Sequence, residues 1–145
     1  MGKIVVFDLD GTLANAEHRM HWVSSKPKNW AACDAAIPQD TVYTDIAWIL
    51  DFLPSDTRTI LCTGRSENVR EATEQWLKDN HIEYDALYMR LSGDFRKDSV
   101  VKVELLQQII YDYGKPYLWF DDRQQVVDAI RAEGIRVLQV APGDF

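Results

Sequence analysis

Only two cysteines, Cys33 and Cys62, occur in 145 residues, and they form neither a CxxC pair nor a recognisable zinc-ligand spacing. That excludes a disulfide framework, and both read as free thiols, Cys62 inside an apolar run and Cys33 in a loop-like stretch. No apolar run approaches the length of a membrane span. The chain passes almost directly into its first strand pattern, so no signal peptide is expected and the expected location is the cytoplasm. Basic residues are scarce as well: 16 Lys and Arg face 23 Asp and Glu, for a net charge of −7. Such a chain lacks the broad basic face that grips long nucleic acid, so no extended nucleic-acid footprint is expected. There is no GxxxxGK[ST] segment, no internal repeat and no low-complexity tract.

What is present centres on residues 4–13, IVVFDLDGTL. The apolar run Ile4 to Phe7 has the length and β-branched content of a fully buried strand. It delivers Asp8 and Asp10, then Gly11 and Thr12, to one edge of a sheet, where open α/β sheets place their ligands. Two acids so close together repel unless a cation or proton lies between them. The length fits one domain, residues 1–145, with an ordinary core.

Residues 14–40 show no clean periodicity and carry Met20, Trp22, Pro27, Trp30 and Pro38, which reads as a small cap over the strand ends. A helical pattern over 41–53 ends at Pro54. A second buried strand, 57–62, closes in Thr63-Gly64-Arg65-Ser66, with Ser66 as N-cap of a helix reaching about Asn80. Residues 86–89 form a third strand and LSGDFRKD a loop. A helix over 99–112 follows, with Asp98 as its expected N-cap. Residues 116–120 form the fourth strand, running into Asp121-Asp122-Arg123. A helix closing at Gly134 and a strand over 135–140 complete the pattern. Strands alternating with helices predict an α/β fold: a Rossmann-like, doubly wound parallel sheet of about five strands with the cap inserted after the first.

Because parallel strands end on one edge, Asp8, Asp10, Thr63, Lys102, Asp121 and Asp122 should converge. The chemistry needing this set is phosphoryl transfer through an aspartyl-phosphate. A carboxylate attacking a phosphate must overcome repulsion between anions, which Mg²⁺ removes while taking carboxylate and phosphate oxygens as ligands. Thr63, Lys102 and the N–H groups of the Gly11 turn can cradle the phosphate oxygens, and a second acid protonates the leaving group and later activates water.

D-x-D-G-T, a strand-end Thr, a Lys and a strand-end Asp-Asp together resemble the four-motif signature of the haloacid dehalogenase-like hydrolases, from end to end of the chain. That resemblance implies Asp8 as nucleophile and Asp10 as general acid/base. It also implies Mg²⁺ on the Asp8 carboxylate, the Asp10 backbone carbonyl and Asp122, with Asp121 behind. TGR at 63–65, GDFRKDSVVK, FDDRQQVV and the terminal QVAPGDF further resemble the 3′-phosphatase domain of phage-type polynucleotide kinase/phosphatase. On that likeness Arg65 and Asp98 also serve the site, and Arg19 and Arg123 match further basic positions. Gly11, Thr12 and Gly64 join these as phosphate-binding candidates. The implied substrate is a nucleotide or a nucleic-acid 3′ end. Without a P-loop in this sequence, no kinase half accompanies the likeness, which leaves a free nucleotide or other small phosphate ester open.

A sugar or metabolite phosphatase would use the same chemistry. A receiver-like phosphoacceptor domain, which is not an enzyme, combines similar residues but carries its phosphoaccepting Asp on the third strand rather than the first. Several residues admit a plainer role. Asp98 can cap its helix and orient Arg65, Arg96 and Lys97 can be part of a positive funnel or a solvated loop, and His18 can reach a phosphate from the cap. The five tryptophans are expected mostly in the core, with Trp22 or Trp30 available to stack a base.

Overall fold

Ile4, Val5, Val6 and Phe7 are all buried, a condition met only by a central strand covered on both faces. The computed structural model describes residues 2–145. Its elements are β1 (Ile4–Phe7), β2 (Ala14–Asn15), α1 (Trp30–Ala35), β3 (Thr41–Val42), α2 (Thr44–Asp51), β4 (Arg58–Ser66), α3 (Arg70–Asp79), β5 (Ala86–Arg90), α4 (Asp98–Asp112), β6 (Leu118–Asp121), α5 (Gln124–Ala132) and β7 (Val137–Gln139). Five strands form one parallel sheet in the order β5-β4-β1-β6-β7. This is the expected doubly wound α/β sheet. It resolves differently at several ends, however. β4 runs on through Ser66, β6 starts at Leu118 and takes in Asp121, and β7 covers only Val137–Gln139.

Alternation along β1 sorts the core into two layers. Val5 and Phe7 pack with Leu50, Leu61, Trp76 and Leu77, under α2 and α3. Ile4 and Val6 pack with Ile60, Val101, Leu105, Val127 and Ile130, under α4 and α5. At the centre Phe7 and Phe120 stack at 4.7 Å and 9°, fixing β1 against β6 just below the end of each strand. Chain direction across the sheet reverses at β1, so its C-terminal end is the switch point where such sheets bind ligands.

Residues 14–40 fold as β2, a 3₁₀ turn over Glu17–Trp22, α1 and a second 3₁₀ turn over Ile37–Gln39. The ends of this segment pair, since β2 and β3 form a two-stranded antiparallel ribbon. Two-residue strands carry no readable periodicity, so this ribbon was not expected. The tryptophan expectation needs correction. Trp76 and Trp119 are buried, but Trp22, Trp30 and Trp48 are 41%, 57% and 62% exposed.

Candidate active site

Two clusters of charge stand beside one another at the C-terminal end of β1. Asp8, the residue after β1, donates its backbone N–H to the Phe120 carbonyl at 2.9 Å and so is held between β1 and β6. Its Oδ1 accepts from Lys102 Nζ at 2.7 Å and its Oδ2 from the Thr12 hydroxyl at 3.2 Å. The same ammonium donates to Asp121 Oδ2 at 2.8 Å, which also accepts from Trp119 Nε1 at 3.2 Å. Asp8, Asp121 and Asp122 offer carboxylate oxygens within 4.8 Å of one another, all buried. Gly11, at φ +85°, lets the turn after Asp10 pass against the Asp122 carboxylate, where a Cβ would collide.

Charge in this first cluster does not balance, because three carboxylates share one ammonium. Burial, with Asp121 close by, holds the Asp8 carboxyl well above its ordinary range despite Lys102. Burial and Asp121 likewise raise Asp122. Lys102 is penalised by burial, yet Asp121 and Asp8 outweigh that and keep it charged. Two negative charges are left over, and an oxygen donor set with that deficit is what a hard divalent cation fits.

Asp10 belongs to the second cluster. Its side chain is 39% exposed, and Arg65 Nη2 approaches Oδ1 at 2.6 Å while Nε lies 3.1 Å from both oxygens. Arg19 Nη2 reaches Oδ1 at 3.3 Å. Behind them sits Asp40, fully buried, accepting from Arg19 Nε at 2.8 Å and from Arg65 Nη2 at 3.0 Å. Two carboxylates and two guanidiniums close a neutral ring. Desolvation works to raise the Asp10 carboxyl, but Arg65 and then Arg19 override it and hold it below the ordinary range.

Sequence reading missed Asp40, because its partners lie 21 and 25 residues away and no local pattern marks it. Asp40→Ala should cost about 3–5 kcal/mol, since it strands two buried guanidiniums with one partly exposed carboxylate. A denaturant midpoint close to that of the unmutated protein would show the ring to be dispensable for folding.

Thr63 lies two residues beyond the Leu61–Phe7 pair, beside the Asp8 turn. Its oxygen accepts from the Arg65 N–H at 3.1 Å and keeps its own hydrogen to donate. β4 is irregular between Thr63 and Ser66. Gly64 sits in that irregularity, and a Cβ there would strike Asp98.

A profile of the polynucleotide kinase PNKP phosphatase domain matches residues 2–145. The chain belongs to that family of phosphatase domains. Among relatives of this phosphatase domain is a putative bifunctional polynucleotide kinase/RNA ligase of Autographa californica nuclear polyhedrosis virus, 29% identical over 128 residues, covering 86% of the chain and 17% of the viral protein. A chain in a structure of a Pnkp1/Rnl/Hen1 complex superposes with a TM-score of 0.82 at 36% identity, covering 100% of this chain and 48% of that one. The phosphatase domain thus spans about half of that relative or less. A haloacid dehalogenase-like hydrolase of Streptococcus pneumoniae shares the fold, with a TM-score of 0.73 at 15% identity over 95% of this chain and 84% of that one.

Other residues of the phosphatase domain depart from expectation. Asp98 is not an N-cap. It is the first residue of α4, behind Lys97, and makes no capping bond. Nor does it orient Arg65, for its partner is Arg90, at 3.2 Å, with Lys102 at 4.0 Å and Arg123 at 3.6 Å. Arg90, unremarked in the sequence, also donates to the Gly64 carbonyl at 2.9 Å and to the Arg96 carbonyl at 2.6 Å, tying the β5–α4 loop to β4. Arg96 is spent on Asp94 and Glu104 at the surface and adds nothing to a funnel. His18 pairs with Asp40 at 2.7 Å instead of reaching outward. Arg123 donates to the Phe145 carbonyl at 2.7 Å and covers the Phe145 ring, so its guanidinium is shared between Phe145 and Asp98. Both cysteines are free and buried, and burial pushes the Cys62 thiol up, which leaves it inert.

A cleft of about 900 Å³ opens at the opposite edge of the sheet, lined by Pro54, Thr57, Lys78, His81 and Asp85. It gathers no comparable set of groups. Among the described residues no helix is long and apolar enough to cross a membrane.

Proposed function

We propose that this phosphatase domain removes the phosphate from a nucleotide or from the 3′ end of a nucleic acid through a phosphoaspartate on Asp8. What supports the reading is the division of two aspartates, two residues apart, between two electrostatic settings. Asp8 lies among carboxylates short of a cation, and Asp10 lies in a neutral ring of arginines. Two carboxylates in contrasting environments take two roles.

In the first half-reaction an Asp8 oxygen bonds to phosphorus as the bond to the ester oxygen breaks, and Asp10 gives its proton to the leaving alkoxide. In the second, water loses a proton to Asp10 and attacks the same phosphorus, releasing phosphate and restoring the Asp8 carboxylate. Asp10 begins the cycle needing a proton that Arg65 and Arg19 oppose. A phosphate dianion arriving beside it opposes the arginines in turn and restores that proton affinity. Lys102, the Thr63 hydroxyl and the Gly11–Thr12 turn face the phosphate oxygens, with Arg19, Gly64, Arg65, Asp98 and Arg123 holding those groups or the substrate around them.

The charge deficit suits Mg²⁺, which Asp8, Asp122 and the Asp10 backbone carbonyl would hold, with Asp121 behind. When bound, it supplies the neutralisation that lets an anion approach an anion. Residues 14–40 form a small cap on a single domain, with the cytoplasm as its location. The 3′-end assignment draws on the relatives, whose names join polynucleotide kinase to ligase and to RNA repair.

The test is phosphate release with Mg²⁺ from 3′- and 5′-mononucleotides, a 3′-phosphorylated oligonucleotide and common sugar phosphates. Highest kcat/KM on the 3′-phosphorylated compounds is expected. Preference for 5′-nucleotides or sugar phosphates would keep the chemistry and discard the end-processing role.

A further inference from the structure

The cap carries a groove that the phosphoryl chemistry does not use. It has a volume of about 640 Å³ and is lined by His21, Trp22, Pro27, Lys28 and Trp30, a size ordinary for a small-molecule site. Two large indoles face solvent there, a costly exposure for residues that usually pack. They are held, not loose. Asn29 N–H donates to the Trp22 carbonyl at 2.8 Å, and the Asn29 side chain caps α1 by accepting from Ala32 N–H at 3.0 Å. The His21 and Trp22 rings lie 4.7 Å apart, and Lys28 Nζ is 5.9 Å from the Trp30 ring centre.

Charge and position both point to an anionic aromatic ligand. From Arg19 to Cys33 the chain contains Lys26 and Lys28 and no acidic residue, although acids outnumber bases overall. Trp22 follows Arg19 by one turn of 3₁₀ helix, an advance of roughly 6 Å along its axis. Arg19 is the residue that touches Asp10. The groove therefore begins one helical turn from the residue whose guanidinium reaches into the candidate site.

We infer that this groove receives the bases of a single-stranded nucleic acid whose phosphorylated 3′ end lies at Asp8. Bases stack on Trp30 and Trp22, while Lys28 meets the negative backbone. Stacking on indoles tolerates any base, so recognition here is of single-stranded polymer rather than of sequence. Mononucleotides reach Asp8 but gain little from the groove. The inference rests on the nucleic-acid-end reading above and narrows it from nucleotide to polymer.

The experiment uses Trp30→Ala, Trp30→Phe and Trp48→Ala, the last removing an exposed indole from α2, which is outside the site. For a short 3′-phosphorylated oligonucleotide, Trp30→Ala should raise KM about tenfold, Trp30→Phe should recover most of that loss, and Trp48→Ala should match the unmutated protein. The ratio of kcat/KM for the oligonucleotide to that for p-nitrophenyl phosphate should fall about tenfold in Trp30→Ala. An unmoved KM and ratio in Trp30→Ala overturns the inference while leaving the phosphatase reading intact. Indole fluorescence titrated with an unphosphorylated single-stranded oligonucleotide gives a readout independent of turnover. Quenching that Trp30→Ala diminishes and Trp48→Ala does not supports the groove even if the 3′ phosphate proves not to be the substrate. Quenching that is absent, or the same in all three variants, overturns it.

Discussion

Asp8→Asn is expected to lower phosphate release by at least about 10⁴-fold and to leave the protein folded, with a metal-free unfolding midpoint at or above that of the unmutated chain. The activity loss follows from the proposed chemistry, in which an amide in place of the Asp8 carboxylate would not take the phosphoryl group. The stability sign follows from the cluster. Folding carries the Asp8 carboxyl above its ordinary range, chiefly through burial and then through Asp121, so its ionised form is held at a cost near neutral pH. An uncharged amide of the same shape removes that cost, and Lys102 retains Asp121 at 2.8 Å. Single-turnover phosphate release and a thermal melt decide both halves. Readily measured residual turnover would remove Asp8 as nucleophile, and a collapsed midpoint would show that its bond to Lys102 outweighs the repulsion.

Lys102→Met should have the opposite balance, losing both activity and stability. The ammonium is the only cation bonded to Asp8 and Asp121 among the described residues. Removing it leaves three buried carboxylates with no partner of opposite charge, at a cost of about 3–5 kcal/mol. Mg²⁺ should therefore raise the midpoint of Lys102→Met by more than it raises that of the unmutated protein, because it binds a cluster with a larger deficit. Equal shifts in the two proteins would mean that these carboxylates do not form the divalent site.

Much of this could be read from sequence because the decisive residues sit at the ends of buried strands. β1 is apolar up to Asp8, β6 up to its last residue Asp121, and within β4 the apolar run Ile60–Cys62 gives way to Thr63; each change from apolar to polar marks the candidate site. Lys102 is legible only in company, since on its own it resembles any helix lysine. Asp40 and Arg90 were invisible for the opposite reason. Asp40 acts through partners 21 and 25 residues away, and Arg90, the last residue of β5, acts through the Asp98 carboxylate and through loop and strand carbonyls that no local pattern marks. Asp98 misled because an acid just before an apolar helix has the look of a cap, whereas here the β4 irregularity at Gly64 draws that carboxylate toward Arg90. The exposed tryptophans misled through burial statistics, which describe cores and not the outer surfaces of residues 14–40 and of α2, where Trp22, Trp30 and Trp48 lie.

The ring of Asp10, Arg19, Asp40 and Arg65 has a kinetic consequence. Arg19 and Asp40 come from residues 14–40, Asp10 and Arg65 from the strand ends, so two of the four ion pairs, Arg19–Asp10 and Arg65–Asp40, rivet one part to the other. Swinging the cap outward would separate buried opposite charges, and no thermal fluctuation on the timescale of turnover does that cheaply. A substrate would then enter a site already assembled instead of being clamped by a closing one. On the proposed chemistry, selection would then favour what is slender enough to present a terminal phosphate end-on, and the pace of the cycle would follow how firmly phosphate is held rather than any door that has to open.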